Sequence, residues 1–390
     1  MHLGHRAFLR RHAPCRCIAP VWRPLFRQLL SNPVLNPHLG DNHLGSGCHL
    51  DCLDWVIDMQ FARFLVSRVI SYVLVVWISI TIVFFVPRFI PGNPVETMLG
   101  RLMSQGTTME PELVEQMRKT MTQMFGLEGT LWEQYTSFLQ RVLVTRDFGP
   151  SLSYYPTPVN LLIAKALPWS LGLLLTALAV SWCLGNFIGL LAGYYNRKFT
   201  SKMIETTAMI VYPIPYYILA LLLVILFAYI WPVFPFVFQV SGQPGSWPWM
   251  KSVAYNSFLP LMSIVVVSLG WWTISMKAMA IDTKEEDFIH YARYRGVNDN
   301  KVMFGYVART AILPQITVLG LSIGGVFGGS LITEILFGYP GVGTLVYRAI
   351  LGSDYNLIMG TISLSIVAVA TATLVLDLIY PFIDPRIRYQ

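Results

Sequence analysis

Asp287-Phe288-Ile289-His290-Tyr291-Ala292-Arg293-Tyr294-Arg295-Gly296 is the most polar and charged piece in the C-terminal half of the chain. It lies between two stretches that hold no Asp, Glu, Lys, Arg or His, Ser252 to Met276 upstream and Thr310 to Thr333 downstream. A charged segment between two runs of bilayer length reads as a membrane-surface loop. Inside it Phe288, Tyr291, Ala292 and Arg295 fall at helical spacing, and Gly296 is placed to stop the helix. A short helix lying across the face of a bundle points to docking on something soluble. A solvated loop that happens to be helical gives the same spacing.

The rest of the composition agrees with the membrane. Of 390 residues 54% are hydrophobic and 13% charged, against roughly 25% charged in ordinary soluble domains. Runs without charged side chains cover Val69 to Pro87, Ala166 to Asn196, Thr206 to Met250, Ser252 to Met276, Thr310 to Thr333 and Tyr355 to Leu376. Each can cross a hydrocarbon core that needs about 20 helical residues. The Thr206 to Met250 run is too long for one span, and Trp231, Pro232, Pro235, Pro244 and Pro248 break its second half into a loop. The expectation is an all-α membrane protein with six transmembrane helices.

Orientation follows from Lys and Arg in the short loops. Arg197, Lys198 and Lys202 lie between spans two and three; Lys277, Lys284, Arg293, Arg295, Lys301 and Arg309 lie between spans four and five; Arg386 and Arg388 follow span six. The alternate loops hold Lys251 and Arg348. Both termini are therefore expected in the cytoplasm. The net charge of +7 reflects this topology and is no argument for nucleic-acid binding.

Residues 1–58 differ from the rest, holding six of the seven histidines and four of the five cysteines. His12, Cys15, Cys17, Cys48, His49 and Cys52 can be drawn as a metal site, but their spacings repeat no zinc finger. No apolar core with a small-residue cleavage site marks a secretory signal. The expectation is an atypical extension, disordered or outside the native protein, with translation beginning at Met59. Peptides upstream of Met59 in mass spectra of the native protein would contradict that.

Residues 59–90 then form the first span, with Arg63 and Arg68 anchoring its cytoplasmic end and Arg88 snorkelling at the other. Residues 91–160 form an extracytoplasmic helical insert. Glu110-Pro111-Glu112 opens one helix, and Thr130-Leu131-Trp132-Glu133 reads as the capping box of another. In the latter Trp132, Tyr135, Leu139 and Val142 make an apolar stripe for packing, with substrate contact as the alternative. Residues 161–390 carry five further spans and a cytoplasmic loop at 281–309. Gly185, Gly189 and Gly193 in span two and Gly320, Gly324 and Gly328 in span five have the four-residue spacing of close helix packing, within the chain or with a partner. Pro213 and Pro215 should bend span three. Asn186 and Asp377 are the polar residues within spans, and Asp377 reads as a satisfied structural group because no second acid or His accompanies it. Cys183 reads as packing. No Gly-x-x-x-x-Gly-Lys-Ser/Thr, His-Glu-x-x-His or Cys-x-x-Cys occurs, so the chain neither cradles nucleotide phosphates nor carries a catalytic set. It reads as a transport subunit rather than an enzyme.

Residues 287–296 resemble the cytoplasmic signature of dipeptide/oligopeptide-type ABC importer permeases, usually Asp-Tyr-Val-Arg-Thr-Ala-Arg-Ala-Lys-Gly. Asp287, Ala292, Arg293 and Gly296 match outright, Phe288, Ile289 and Arg295 in kind, while His290, Tyr291 and Tyr294 depart. Leu313-Pro314 is similar to the family's Leu-Pro after that signature. Glu334-Ile335-Leu336-Phe337-Gly338-Tyr339-Pro340-Gly341-Val342-Gly343 resembles Glu-Thr-Val-Phe-x-x-Pro-Gly-Leu-Gly, carried by Glu334, Phe337, Pro340, Gly341 and Gly343. Asp354-Tyr355, Pro91-Gly92-Asn93-Pro94, Gly126-Leu127, Gln134-Tyr135 and Phe148-Gly149-x-Ser151 look like further family motifs in order. The resemblance covers about residues 59–390.

The resemblance implies the ABC type I importer permease architecture in a bacterial cytoplasmic (inner) membrane. It implies a heterodimer with a second related permease, this chain being the first of the pair. Two cytoplasmic ABC ATPases, which use ATP and Mg, and an extracytoplasmic substrate-binding protein complete it; the chain itself binds no cofactor. Glu286, Asp287, Phe288, Tyr291, Ala292, Arg293, Arg295 and Gly296 would couple to the ATPase, with Phe288, Ala292 and Gly296 seated in it. Alternating access would then move peptides. Other members of the family carry oligosaccharides, glycosides or nickel, and Trp247, Trp249 and Tyr255 in the loop Gln239 to Asn256, with Tyr154 and Tyr155, would suit sugar rings; interfacial aromatic belts use the same residues. Peptide ranks ahead of oligosaccharide. An ATP-independent channel or secondary carrier would want midplane ionisable residues or an internal repeat, and an intramembrane enzyme a nucleophile or metal set.

Overall fold

The computed structural model describes residues 48–89, 94–104, 110–145, 147–326 and 330–383. Met1–Met59 group apart from Gln60–Gln390, and the fold described is that of the second unit. The histidines and cysteines of the extension, the motif at 91–94, Gly328, Arg386 and Arg388 lie outside the described residues or have undescribed side chains.

Among the described residues the secondary structure is helical, with one isolated bridge between Pro150 and Pro158. In chain order we number α1 (Arg63–Phe89, the apolar part of a helix that begins at Cys48), α2 (Pro94–Ser104), α3 (Pro111–Met124) and α4 (Leu131–Gln140). Next come α5 (Val159–Tyr194), α6 (Phe199–Val211), α7 (Tyr216–Ile230) and α8 (Trp247–Lys284). The chain ends with α9 (Asp287–Tyr294), α10 (Asp299–Val326), α11 (Leu331–Phe337), α12 (Val342–Gly352) and α13 (Tyr355–Ile383).

Five of these, α1, α5, α8, α10 and α13, are long and apolar enough to cross a membrane singly. Two further pairs are bent, α6–α7 by 95° and α11–α12 by 86°. The expected third span is the first pair. Pro213 and Pro215 sit in its break, where Pro removes backbone donors and cannot continue a helix. The fifth span starts and ends earlier than its uncharged run. α10 ends at Val326, and Leu331 onward belongs to the second bent pair, whose turn is made by Gly338 at φ 60°. The fourth begins earlier than expected, because Ser246 caps α8 by accepting from the Trp249 amide with Pro248 in the first turn. Trp247, Trp249 and Tyr255 are therefore helical rather than in a loop.

α5 and α8 pack along most of their lengths, and the glycines explain why. A Cβ on Gly189 would lie 2.5 Å from Thr273 O, and one on Gly193 would lie 2.7 Å from Ala280 Cβ; Gly185 meets Trp272 Cβ at 2.5 Å. The small residues let two backbones approach where apolar burial gives no net drive. The stripe in span two thus serves packing within the chain. Gly320 and Gly324 face Leu376 and Thr373 of α13 at a looser 3.2 and 3.5 Å. Asp377 is paired with Arg68 at 3.2 Å, tying α13 to α1. Lys277, expected as a loop cation, is instead buried within α8 and pairs with Glu205 of α6 at 2.6 Å. Asn186 is buried, donating to Trp182 O at 2.8 Å, whereas Cys183, expected to pack, is exposed.

The insert packs on α1 and α13. Thr130 and Glu133 form the capping box of α4, and Tyr135, Phe138 and Val142 bury against Ile80, Phe84 and Met359. Trp132 departs from the expected stripe and stays exposed. Arg88 does not snorkel outward; it lies 3.5 Å from the centroid of the Phe84 ring and donates to Gln134 Oε1 at 3.1 Å, joining α1 to α4. Arg118 of α3 bonds Glu96 of α2 at 2.8 Å, a contact that raises the guanidinium pKa.

Candidate functional site

Two regions gather the motif residues. The first is α9. Asp287 stands in its first turn, where an acid offsets the positive end of the helix. At the other end Gly296 takes φ 74°, its amide bonding Arg293 O at 2.9 Å while the Val297 amide bonds Ala292 O at 3.2 Å. Those two bonds are the paired closure that a left-handed glycine permits.

The helix has two faces. Ile289 (0% exposed) and Ala292 (6%) are buried in the chain's own core with Leu190, Met276, Ala280, Val302 and Val307. Phe288 (42%), Tyr291 (69%) and Tyr294 (85%) are exposed, as are Glu286, Asp287, His290, Arg295 and Gly296. Ala292, expected to seat in the ATPase with Phe288 and Gly296, has its methyl group facing inward and joins α9 to the bundle. Arg293 is also turned inward, its guanidinium 5.7 Å from the centroid of the Tyr194 ring. The periodicity carried no label for inside and outside, and an apolar residue on a docking helix fits either.

The second region closes the opposite end of the spans. Glu334 is fully buried. Its carboxylate accepts from Ser170 Oγ at 2.7 Å, from the Gly343 amide at 2.7 Å and from the Thr344 amide at 3.3 Å. It thereby satisfies free amides at the start of α12, where negative charge is also favoured by the helix dipole. Gly343 has no room for a side chain, since a Cβ would stand 2.7 Å from Leu331 Cα. Phe337 is buried against Ala220, Val224 and Leu259, and Pro340 is exposed beside buried Gly341. Asp354 repeats the arrangement for α13. It is buried, bonds Ser151 Oγ at 2.5 Å and the Ser153 amide at 2.9 Å, and accepts from the Leu357 amide at 3.1 Å. Two motifs far apart in sequence, around Ser151 and Asp354, are one structure.

Leu313 is exposed and Pro314 lies inside α10. The next residue, Gln315, is buried and bridges three helices. Its carbonyl accepts from Trp182 Nε1 at 3.3 Å and its Nε2 donates to Ser275 Oγ at 2.8 Å. Sequence reasoning does not find Gln315, Ser170 or Tyr194. Ser170 and Tyr194 stand within an uncharged run, and only their position next to Pro168-Trp169 and at the end of the glycine stripe sets them apart. A cavity of about 690 Å³ lies between α1, α12 and α13, with Tyr72, Ser71, Ser365 and the Arg68–Asp377 pair among its walls. No cluster of His, Cys, Asp and Glu fit for a metal occurs among the described residues.

Comparison with known proteins identifies the architecture. Residues 185–389 match the family described as binding-protein-dependent transport system inner membrane component, and residues 61–159 match the N-terminal model of the same membrane components. The chain belongs to this family. The permease is 29% identical to the oligopeptide transport system permease protein OppB of Haemophilus influenzae over 331 residues, 84% of this chain and 99% of that one. It is 28% identical to the oligopeptide transport system permease protein AppB of Bacillus subtilis (84% and 100%) and 26% identical to the dipeptide transport system permease protein DppB of the same organism (84% and 98%). The permease is thus a multi-pass inner-membrane component of a binding-protein-dependent transport system, with α1 and the insert in one family region and the end of α5 through α13 in the other.

Proposed function

We propose that this permease forms the membrane pathway of an ATP-driven peptide importer and that α9 is where ATP hydrolysis is received. Its relatives are named as oligopeptide and dipeptide permeases, which favours peptide over oligosaccharide or nickel. The observation that carries the reading is the division of α9 into a face of exposed Phe288, Tyr291 and Tyr294 and a face buried by Ile289 and Ala292. Exposed aromatic side chains beside Asp287 and Arg295 make a surface suited to a protein partner. The buried face means that a partner moving α9 also moves the ends of α5, α8 and α10. The basic residues around it, Arg197, Lys198, Lys202, Lys284 and Arg295, support a cytoplasmic position for it and for both termini by the positive-inside rule. A second permease, two ATPases that use ATP and Mg, and an extracytoplasmic binding protein complete the assembly, and transport proceeds by alternating access.

The test is purification of the complex from native membranes in mild detergent, wild type beside Tyr291→Asp, followed by reconstitution with the binding protein. The expected result is ATPases bound to the wild type and lost from the variant, with ATP-dependent peptide uptake. Recovery of the chain without an ATPase, or uptake without ATP, would overturn the coupling. Uptake of an oligosaccharide and of no peptide would overturn the substrate.

A further inference from the structure

We infer that Tyr194 is the positioning residue that holds α9 in register with the spans, so that ATP-driven movement of α9 becomes movement of the pathway. The inference rests on the proposed coupling role of α9 and adds a residue no motif contains. Tyr194 ends α5 and is 3% exposed. Four elements meet on it. Its hydroxyl donates to Asp299 Oδ1 at 2.9 Å, at the start of α10. Its carbonyl oxygen accepts from Lys284 Nζ at 2.6 Å, at the end of α8. Its ring lies 5.2 Å from the Lys284 ammonium and 5.7 Å from the Arg293 guanidinium of α9.

The arrangement suits transmission better than mere burial. α5 and α8 are held as one body by the glycine contacts at Gly185, Gly189 and Gly193. α9 is separated from that body by the turns at Glu285 and Gly296, so its angle is set by what it touches. Ile289 and Ala292 supply apolar contact, which is non-directional and permits sliding. The Tyr194 hydroxyl and ring supply directional contacts to both flanks of α9, Lys284 before it and Asp299 after it. Arg293 forms no ion pair with an acid among the described residues, and its buried Nε has no hydrogen-bond partner in this conformation. The ring face and the hydroxyl of Tyr194 together keep that cation in place.

The test separates positioning from folding. Tyr194→Phe removes the hydroxyl's contacts with Asp299 and Arg293 and keeps the ring; Asp299→Ala removes the Asp299 bond alone, from an exposed position. Both are compared with wild type in the reconstituted complex for ATPase recovery, ATP hydrolysis and peptide uptake. Each variant is expected to retain its ATPases while uptake per ATP falls about fivefold or more, the size of one net hydrogen bond, and the double variant should fall no further than Tyr194→Phe alone. Asp299→Asn, which keeps an acceptor oxygen, should restore most of the ratio. Uptake and hydrolysis that fall together at constant ratio, or a ratio unchanged in Asp299→Ala whatever Tyr194→Phe does to assembly, would overturn the inference. A wild-type complex that contains no ATPase would instead overturn the coupling reading on which it rests.

Discussion

Ser170 of α5 and Glu334 of α11, 164 positions apart, share a 2.7 Å hydrogen bond, and the same serine oxygen accepts from the Val342 amide at 2.8 Å. One hydroxyl therefore joins the long helix to both arms of the bent pair. Ser170→Ala should leave a carboxylate oxygen and an amide short of a partner, at a cost of about 1–3 kcal/mol. Glu334→Gln should cost more, because one oxygen that accepts amide protons becomes a nitrogen that presents its own. Thermal unfolding in detergent checks both, and a Glu334→Gln protein that melts with wild type would mean that the carboxylate is not needed as an acceptor.

Two glycines on α5 should respond oppositely to the same methyl group. Gly189→Ala drives a Cβ against Thr273 O and should destabilise by about 1–3 kcal/mol through overpacking. Gly172 has nothing within 4 Å of its Cβ position, so Gly172→Ala should be neutral or stabilise by up to about 1 kcal/mol from helix propensity. Equal melting temperatures for the two variants would contradict the close approach of α5 and α8.

Neighbouring residues of α9 should separate docking from folding. Ala292→Arg forces a cation into the apolar core and should lower the yield of folded protein in size-exclusion chromatography. Tyr291→Arg projects outward and should leave yield unchanged while ATPase recovery falls. The reverse pattern would mean that the helix is rotated.

The Arg68–Asp377 pair is partly exposed, with side chains 46% and 26% accessible, so the pair itself contributes about 1 kcal/mol or less. The single changes should nonetheless differ. Arg68 can reach water along its stem when Asp377→Leu removes the acid, whereas Arg68→Leu leaves a short acid within a span. Arg68→Leu should therefore be the more destabilising, and adding Asp377→Leu should recover part of the loss, as measured by a double-mutant cycle of unfolding.

The spans were legible because each is a long run without charge, and the helix at 287–294 because a glycine and a charge cluster bound it. The insert's caps were legible from Thr130, Glu133 and Pro111, whose chemistry is local. Local chemistry does not report which way a helix turns its faces. Ala292 and Lys277 were placed outside because one belongs to a motif and the other to a cationic stretch, and tertiary packing buried both. The bent pair at 331–352 escaped because its first arm extends an apolar run, and the carboxylate that folds it back is partnered by a serine from the other half of the chain. Ser170, Tyr194 and Gln315 share that difficulty: a lone polar group in a span has no periodicity of its own, and its partners are a hundred or more residues away or on another helix.

The bond between Ser151 and Asp354 has a consequence for the order in which the protein can be made. The two residues are separated by 203 positions. At about 5–20 residues per second of synthesis, the insert emerges roughly 10–40 s before its carboxylate exists. For that interval the Ser151 hydroxyl and Ser153 amide have no Asp354 to bond, and the turn around them is completed only when α13 arrives. Asp354, at the start of the last helix to be synthesised, is thus the fastener of the insert, and a ribosome that stalls before it leaves a chain with its earlier spans made, α13 absent and the turn around Ser151 undone.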